Sequence, residues 1–102
     1  MTPSNASVLV ETLAATGIDR VFTNAGTDTA PEIEALAGAA AGNATIPHFL
    51  VTPHENRARA MAHGLYRFSG RMAAVLLHTT VGSAIAVMGA MNAHRDHVPI
   101  LM

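Results

Sequence analysis

The sequence predicts an α/β fold, a parallel sheet of about four strands with helices on both faces. Three observations carry this expectation. Apolar segments of strand length alternate with longer segments whose apolar residues recur at helical spacing. The run Met72–Leu77 is apolar at every position, as a strand covered on both faces requires. Glycine, asparagine and proline fall between the segments, where helices stop and strands turn.

Ser4 can cap a helix running to about Thr16, with Ala6, Leu9, Val10, Leu13 and Ala14 on one face and Gly17 as its stop. Arg20–Thr23 reads as a short strand, followed by the turn Asn24-Ala25-Gly26-Thr27-Asp28-Thr29. Pro31 suits the first turn of a second helix, which runs to about Ala41 and breaks at Gly42-Asn43. Ile46–Val51 is a second strand, where Pro47 is tolerable only near the start. A third helix begins at Thr52 and ends near Ser69-Gly70. Met72–Leu77 is the third strand, and His78-Thr79-Thr80 the turn after it. Val81 to about Arg95 forms a fourth helix. Val81, Ala84, Ile85, Met88 and Met91 make its apolar row, read as core, and Gly82, Ala86 and Gly89 a row of small residues that permits close helix approach and suits a subunit or domain interface. Val98–Met102 is a fourth strand. A buried-type strand with no turn after it leads us to expect the N-terminal part of something longer.

The 102 residues suffice for one domain at most. Half are hydrophobic and 13% charged, which is apolar for a small monomer and implies surface hidden against partners. No apolar run approaches the roughly 20 residues of a bilayer span, so a membrane role is not expected. The net charge is −1 and all six basic residues are scattered arginines, which leaves nucleic-acid binding without an electrostatic footprint. The lack of cysteine excludes disulfides and thiolate metal sites and fits a cytoplasmic location. Met1–Ala6 lacks the basic start of a signal peptide.

Ligands of parallel α/β sheets bind beyond the carboxyl ends of the strands, so the turns at 24–29, 52–55 and 78–80 are the places to look. Glu55 has two readings. Thr52-Pro53-His54-Glu55 matches a capping box with proline at the first helical position, and spacing alone favours this. Alternatively, Glu55 shares a face with Ala58, Met61, Ala62 and Leu65, where desolvation raises a carboxyl pKa and suits it to proton exchange. Gly26 fits a tight turn at positive φ, with Thr29 or Asp28 as cap, or a close backbone approach to a ligand. One glycine without Gly-x-Gly-x-x-Gly is a weak dinucleotide signal. His78 points at the same edge, either as a hydrogen-bonded strand-end residue or as a second polar group beside Glu55. Thr79 and Thr80 read as caps. No metal site is expected: position 58 is Ala, not the second His of a zinc helix, and His94 and His97 flank a helix end.

Taken together, these residues resemble the N-terminal, pyrimidine-binding domain of thiamine-diphosphate-dependent enzymes of the acetolactate synthase and pyruvate decarboxylase group. The landmarks are Gly17–Phe22, the Ala25-Gly26 turn, His54-Glu55 followed by Ala60–Gly70, and Asn92-Ala93 through Asp96 to Val98–Leu101. The resemblance covers essentially the whole chain and implies that residues 1–102 are a partial pyrimidine-binding domain. It implies that Glu55 hydrogen-bonds ring nitrogen N1′ of the aminopyrimidine and favours the imino tautomer, whose nitrogen removes the thiazolium proton before attack on a carbonyl carbon, usually that of a 2-keto acid. Ala25, Gly26, His78 and Thr80 are then the expected cofactor-lining residues. His78-Thr79-Thr80-Val81-Gly82 departs from the family's Thr-Ser-Gly-Pro-Gly, and Ile85 replaces an Asn. This form resembles a decarboxylase-type or an uncharacterised branch more than an acetolactate-forming one. The family's Mg²⁺ and diphosphate are held by a second domain, commonly of another subunit, so a homo-oligomer is expected and the isolated chain should be nearly inactive. The rival expectation is a non-catalytic α/β assembly module. A flavodoxin-like nucleotide-binding domain is disfavoured for want of a phosphate loop.

Overall fold

The computed structural model describes residues 2–102. Its elements are α1 (Asn5–Ala15), β1 (Arg20–Thr23), a 3₁₀ turn (Thr27–Thr29), α2 (Ala30–Ala41), β2 (His48–Val51), α3 (Glu55–Ser69), β3 (Ala73–Leu76), α4 (Thr79–Arg95) and β4 (Ile100–Leu101). The four strands form one all-parallel sheet in the order β2-β1-β3-β4. Val21 pairs with Phe49 on one side and Ala74 on the other, so β1 is flanked by both neighbours. The α/β expectation holds, with four strands and four α-helices.

Alternation along the strands splits the core between two layers. Val21 and Ala74 face α1, where Leu13 and Ile18 join them. Phe22, Ala73 and Val75 face α3 and pack on Ala58 and Ala62. The α1 face is narrower than the periodicity suggests: Ala6, Val10 and Leu13 are buried, whereas Leu9 is exposed. Ser4 caps α1 as expected, its Oγ accepting from the Ser7 N–H at 3.1 Å, and Gly17 leaves the helix at φ +83°.

Several boundaries shift for identifiable reasons. β2 starts at His48, just after the buried Pro47. The third helix begins at Glu55 rather than Thr52. The Thr52 N–H donates to Thr23 O at 2.7 Å and its hydroxyl to the same carbonyl at 3.3 Å, so Thr52 extends the β1–β2 ladder and lies before the helix rather than at its cap. His54 is the N-cap instead, with Nδ1 accepting from the Asn56 N–H at 3.2 Å. Pro53 therefore lies outside the helix. The fourth helix begins at Thr79, two residues early, with no side-chain cap, so Thr79 and Thr80 are not caps. Thr29 occupies the N-cap position of α2 without capping it; its hydroxyl closes the preceding turn on Gly26 O at 2.6 Å.

Candidate functional site

Strand order 2-1-3-4 reverses direction between β1 and β3, and the crevice beyond their carboxyl ends is the topological switch point of the sheet. Three segments meet there. Asn24 follows β1, Glu55 opens α3 one crossover beyond β2, and His78 follows β3.

Glu55 is 7% exposed and belongs to this edge, not to Thr52. Asn24 Nδ2 donates to Glu55 Oε1 at 2.9 Å, a contact between residues 31 apart in the chain. The opposite wall is the backbone of α4 at Gly82, where an added Cβ would stand 3.0 Å from Oε1 and 3.3 Å from Cγ. The capping-box reading is thus replaced by a carboxylate held between β1 and α4.

The expected rise in the Glu55 pKa is also reversed. The Asn24 amide bond holds it below the ordinary carboxylate value of 4.5, its own backbone N–H adds to this, and the neighbouring His54 and His78 favour the charged form. Burial pulls upward and is outweighed. The apolar stripe is only partly beneath it: Ala58 and Ala62 are fully buried, while Met61 is exposed.

Gly26 is extended, at φ −120° and ψ −175°, so the expected positive φ is not its reason for being glycine. Its reason is space: an added Cβ would lie 2.3 Å from His78 Cε1 and Nδ1. The imidazole rests on the Gly26 backbone with Nδ1 2.8 Å from Asp28 Oδ1. The two groups are close enough for charge attraction, yet Nδ1 lacks an aligned hydrogen-bond partner. The next residue, Thr79, has φ +52°, which a β-branched residue adopts only under strain. Ala25 and Thr80 are exposed, Ala25 beside Gly26 and Thr80 on the first turn of α4.

The structure therefore brings Glu55, Gly26 and His78 to one edge, with Ala25 and Thr80 on the segments that form it. Asn24, Asp28 and Gly82 also belong to this edge, and sequence reasoning gave them turn, cap and interface roles only. Asn24 as the first residue after a strand was the available signal. A groove of about 670 Å³ lies between α3 and α4, is lined by Arg59, His63, Gly89 and Arg95 among others, and does not include Glu55. Arg59, unremarked in the sequence, is 1% exposed, and burial lowers its pKa. Among the described residues no group of three or more His, Asp or Glu side chains is arranged to hold a metal ion, and no helix is long and apolar enough to cross a membrane.

Residues 4–102 match the family described as thiamine pyrophosphate enzyme, N-terminal TPP binding domain. The chain belongs to that family. It is 33% identical over 101 residues to a protein named putative acetolactate synthase large subunit IlvX from Mycobacterium tuberculosis. It is 32% identical over 102 residues to the acetolactate synthase large subunit of Haemophilus influenzae. Each match takes in 97% of this chain but only 18% and 16% of those relatives, so the chain spans less than a fifth of their length.

The family implies thiamine pyrophosphate (thiamine diphosphate) as ligand. The donor set at the edge fits the pyrimidine end. An ionised carboxylate, fixed by an amide and walled by a glycine, suits a protonated ring nitrogen, and the extended Gly26 backbone carries no side chain of its own.

Proposed function

We propose that this chain binds the aminopyrimidine end of thiamine diphosphate as part of a cytoplasmic lyase or decarboxylase acting on a 2-keto acid or related carbonyl substrate. The observation that carries this reading is the Asn24–Glu55 contact at the switch point. Glu55 would hold the ring nitrogen N1′, while Ala25, Gly26, His78 and Thr80 would line the ring's surroundings. Bound there, the cofactor supplies a carbanion and electron sink for attack on a carbonyl carbon.

The chain's own part is proton placement. Asn24 donates to one Glu55 oxygen and lowers its pKa below the ordinary 4.5, so the carboxylate, ionised near neutrality, accepts a proton or a donor rather than offering one. Closed off from the little water that still reaches it by a bound ring, Glu55 would have its pKa drawn upward, toward proton sharing. His78, beside Asp28 and seated on Gly26, is a second polar group on the same edge. The positive φ of Thr79 costs energy that the surrounding structure must offset, which supports a functional rather than a merely connective role for that turn.

The diphosphate and its Mg²⁺ would be held by another domain, in a homo-oligomer where a second subunit completes the site. Exposed apolar side chains support such assembly: Phe68 is 95% exposed, and Val81, Met88 and Met91 on α4 are all exposed. Glu55→Gln in the complete protein tests the reading. Turnover should be lost with thermal stability kept, whereas retained turnover would leave a non-catalytic assembly module as the account of this chain.

A further inference from the structure

The seam between α3 and α4 is built from three polar residues of α3 spaced by four, Glu55, Arg59 and His63, which lie on one helical face. Each meets α4 at a different level. Glu55 sits against Gly82, Arg59 against Ala86 and Gly89, and His63 Nε2 lies 3.0 Å from Asp96 Oδ2 at the far end.

Arg59 is the anomaly. It is almost fully buried, no carboxylate lies within ion-pair distance among the described residues, and its Nε has no partner. Its guanidinium donates instead to Gly89 O at 2.7 Å and Ala86 O at 3.3 Å, with Nη1 also 3.2 Å from Met102 Sδ. A buried cation without a counter-charge is a poor stabiliser, and an apolar side chain of like volume would serve packing better. What the planar fork does, and an apolar side chain cannot, is grip two carbonyls one turn apart. That grip fixes both the rotation and the axial register of α4 against α3. Gly89 makes the approach feasible, since a Cβ there would stand 3.2 Å from Arg59 Cβ. Gly82 belongs to the same helix seven residues earlier, about 10 Å along the axis, and its backbone is the wall on which the Glu55 carboxylate rests.

We propose that Arg59 is a positioning residue for Glu55, acting through α4: by holding Ala86 and Gly89 it sets where Gly82 stands relative to the Glu55 carboxylate. The inference rests on the reading of Glu55 as the proton-sharing group. Its test has a readout independent of that reading, the titration of the Glu55 carboxyl followed by carbon NMR in the cofactor-free complete protein.

Arg59→Met keeps volume and removes the grip. The Glu55 midpoint should move up toward its ordinary value as the Asn24 contact loosens, and kcat should fall about 10-fold, the scale of a sub-ångström misplacement, with substrate KM little changed. Arg59→Lys, which offers a point charge but no fork, should recover only part of either effect. Gly89→Ala keeps the charge and pushes the helices apart at the same level, so it should shift the Glu55 midpoint in the same direction. It also decides the matter if Arg59→Met does not fold. A shift in Arg59→Met without one in Gly89→Ala is a bare charge effect and overturns the positioning role, as does an unmoved midpoint in both. Retained turnover in Glu55→Gln would sink the reading of Glu55 and leave the mechanical coupling to be judged by the titration alone.

Discussion

Replacing Gly82 with alanine separates stability from function at this site. Gly82 lies in the first turns of α4 with no left-handed backbone requirement, so the helix itself gains from alanine by about 1 kcal/mol. The new methyl, however, would stand 3.0 Å from Glu55 Oε1, 3.3 Å from Cγ and 3.5 Å from Cδ. Ordinary carbon–oxygen contacts begin near 3.3–3.6 Å, so the carboxylate must retreat by roughly 0.3–0.6 Å. A displacement of this size is comparable to the whole useful range of the Asn24 bond, now 2.9 Å, so that contact must readjust. Crowding offsets the helix gain, and net stability should stay within about 1 kcal/mol of the parent. A 1 Å misplacement can cost about 100-fold in rate, so a shift of this size should cost several-fold to about 10-fold in kcat. The assay is a thermal melt beside steady-state turnover of the complete protein. Full turnover in the variant would refute the claim that Gly82 bounds the working position of Glu55. Turnover lost in step with a collapsed melting temperature would refute it equally, by making the effect one of folding.

Gly26→Ala should drive the His78 ring off its seat, because the added Cβ would lie 2.3 Å from the ring. The ring is exposed enough to swing into solvent, so stability should change by less than about 1 kcal/mol while turnover falls to the level of His78→Ala, and the double variant should add nothing further. Asn24→Ala should raise the Glu55 midpoint, as seen by carboxyl NMR. The sign for stability follows: a depressed folded pKa contributes stability present above the ordinary value of 4.5 and lost as pH falls through the folded value. Asn24→Ala should therefore flatten the acid limb of a denaturation series, whereas an unchanged limb would show that Asn24 does not hold the charge.

Much of the fold was legible in the sequence because its signals are local. The unbroken apolar run of β3, the Ser4 cap and the stop at Gly17 each act within a few residues. The site was legible as an edge, because strand ends define it. Its wiring was not. Thr52 looks like a cap until the partner of its N–H is known, and that partner, Thr23, lies 29 residues away. Glycine at 82 reads as a helix-packing residue, since nothing local says that a carboxylate from α3 will rest on it. Asn24 and Glu55 meet only after β1 and α3 are brought together, and that meeting reverses the direction of the Glu55 pKa. Burial raises the carboxyl pKa locally, and the long-range hydrogen bond from Asn24 outweighs it. The α3–α4 seam follows the same logic: an arginine in a helix reads as a solvated charge until two carbonyls of another helix close on it.

On the function proposed above, Glu55 governs proton movement on bound thiamine diphosphate. Deuterium exchange at the thiazolium carbon of the cofactor, measured by rapid quench and proton NMR in the complete protein, tests it without involving any substrate. Exchange should be fast in the parent and slower by about 10²–10⁴-fold in Glu55→Gln, the range expected for a positioned acid–base group, with cofactor still bound and the fold intact. Equal exchange rates in the two proteins would contradict the account.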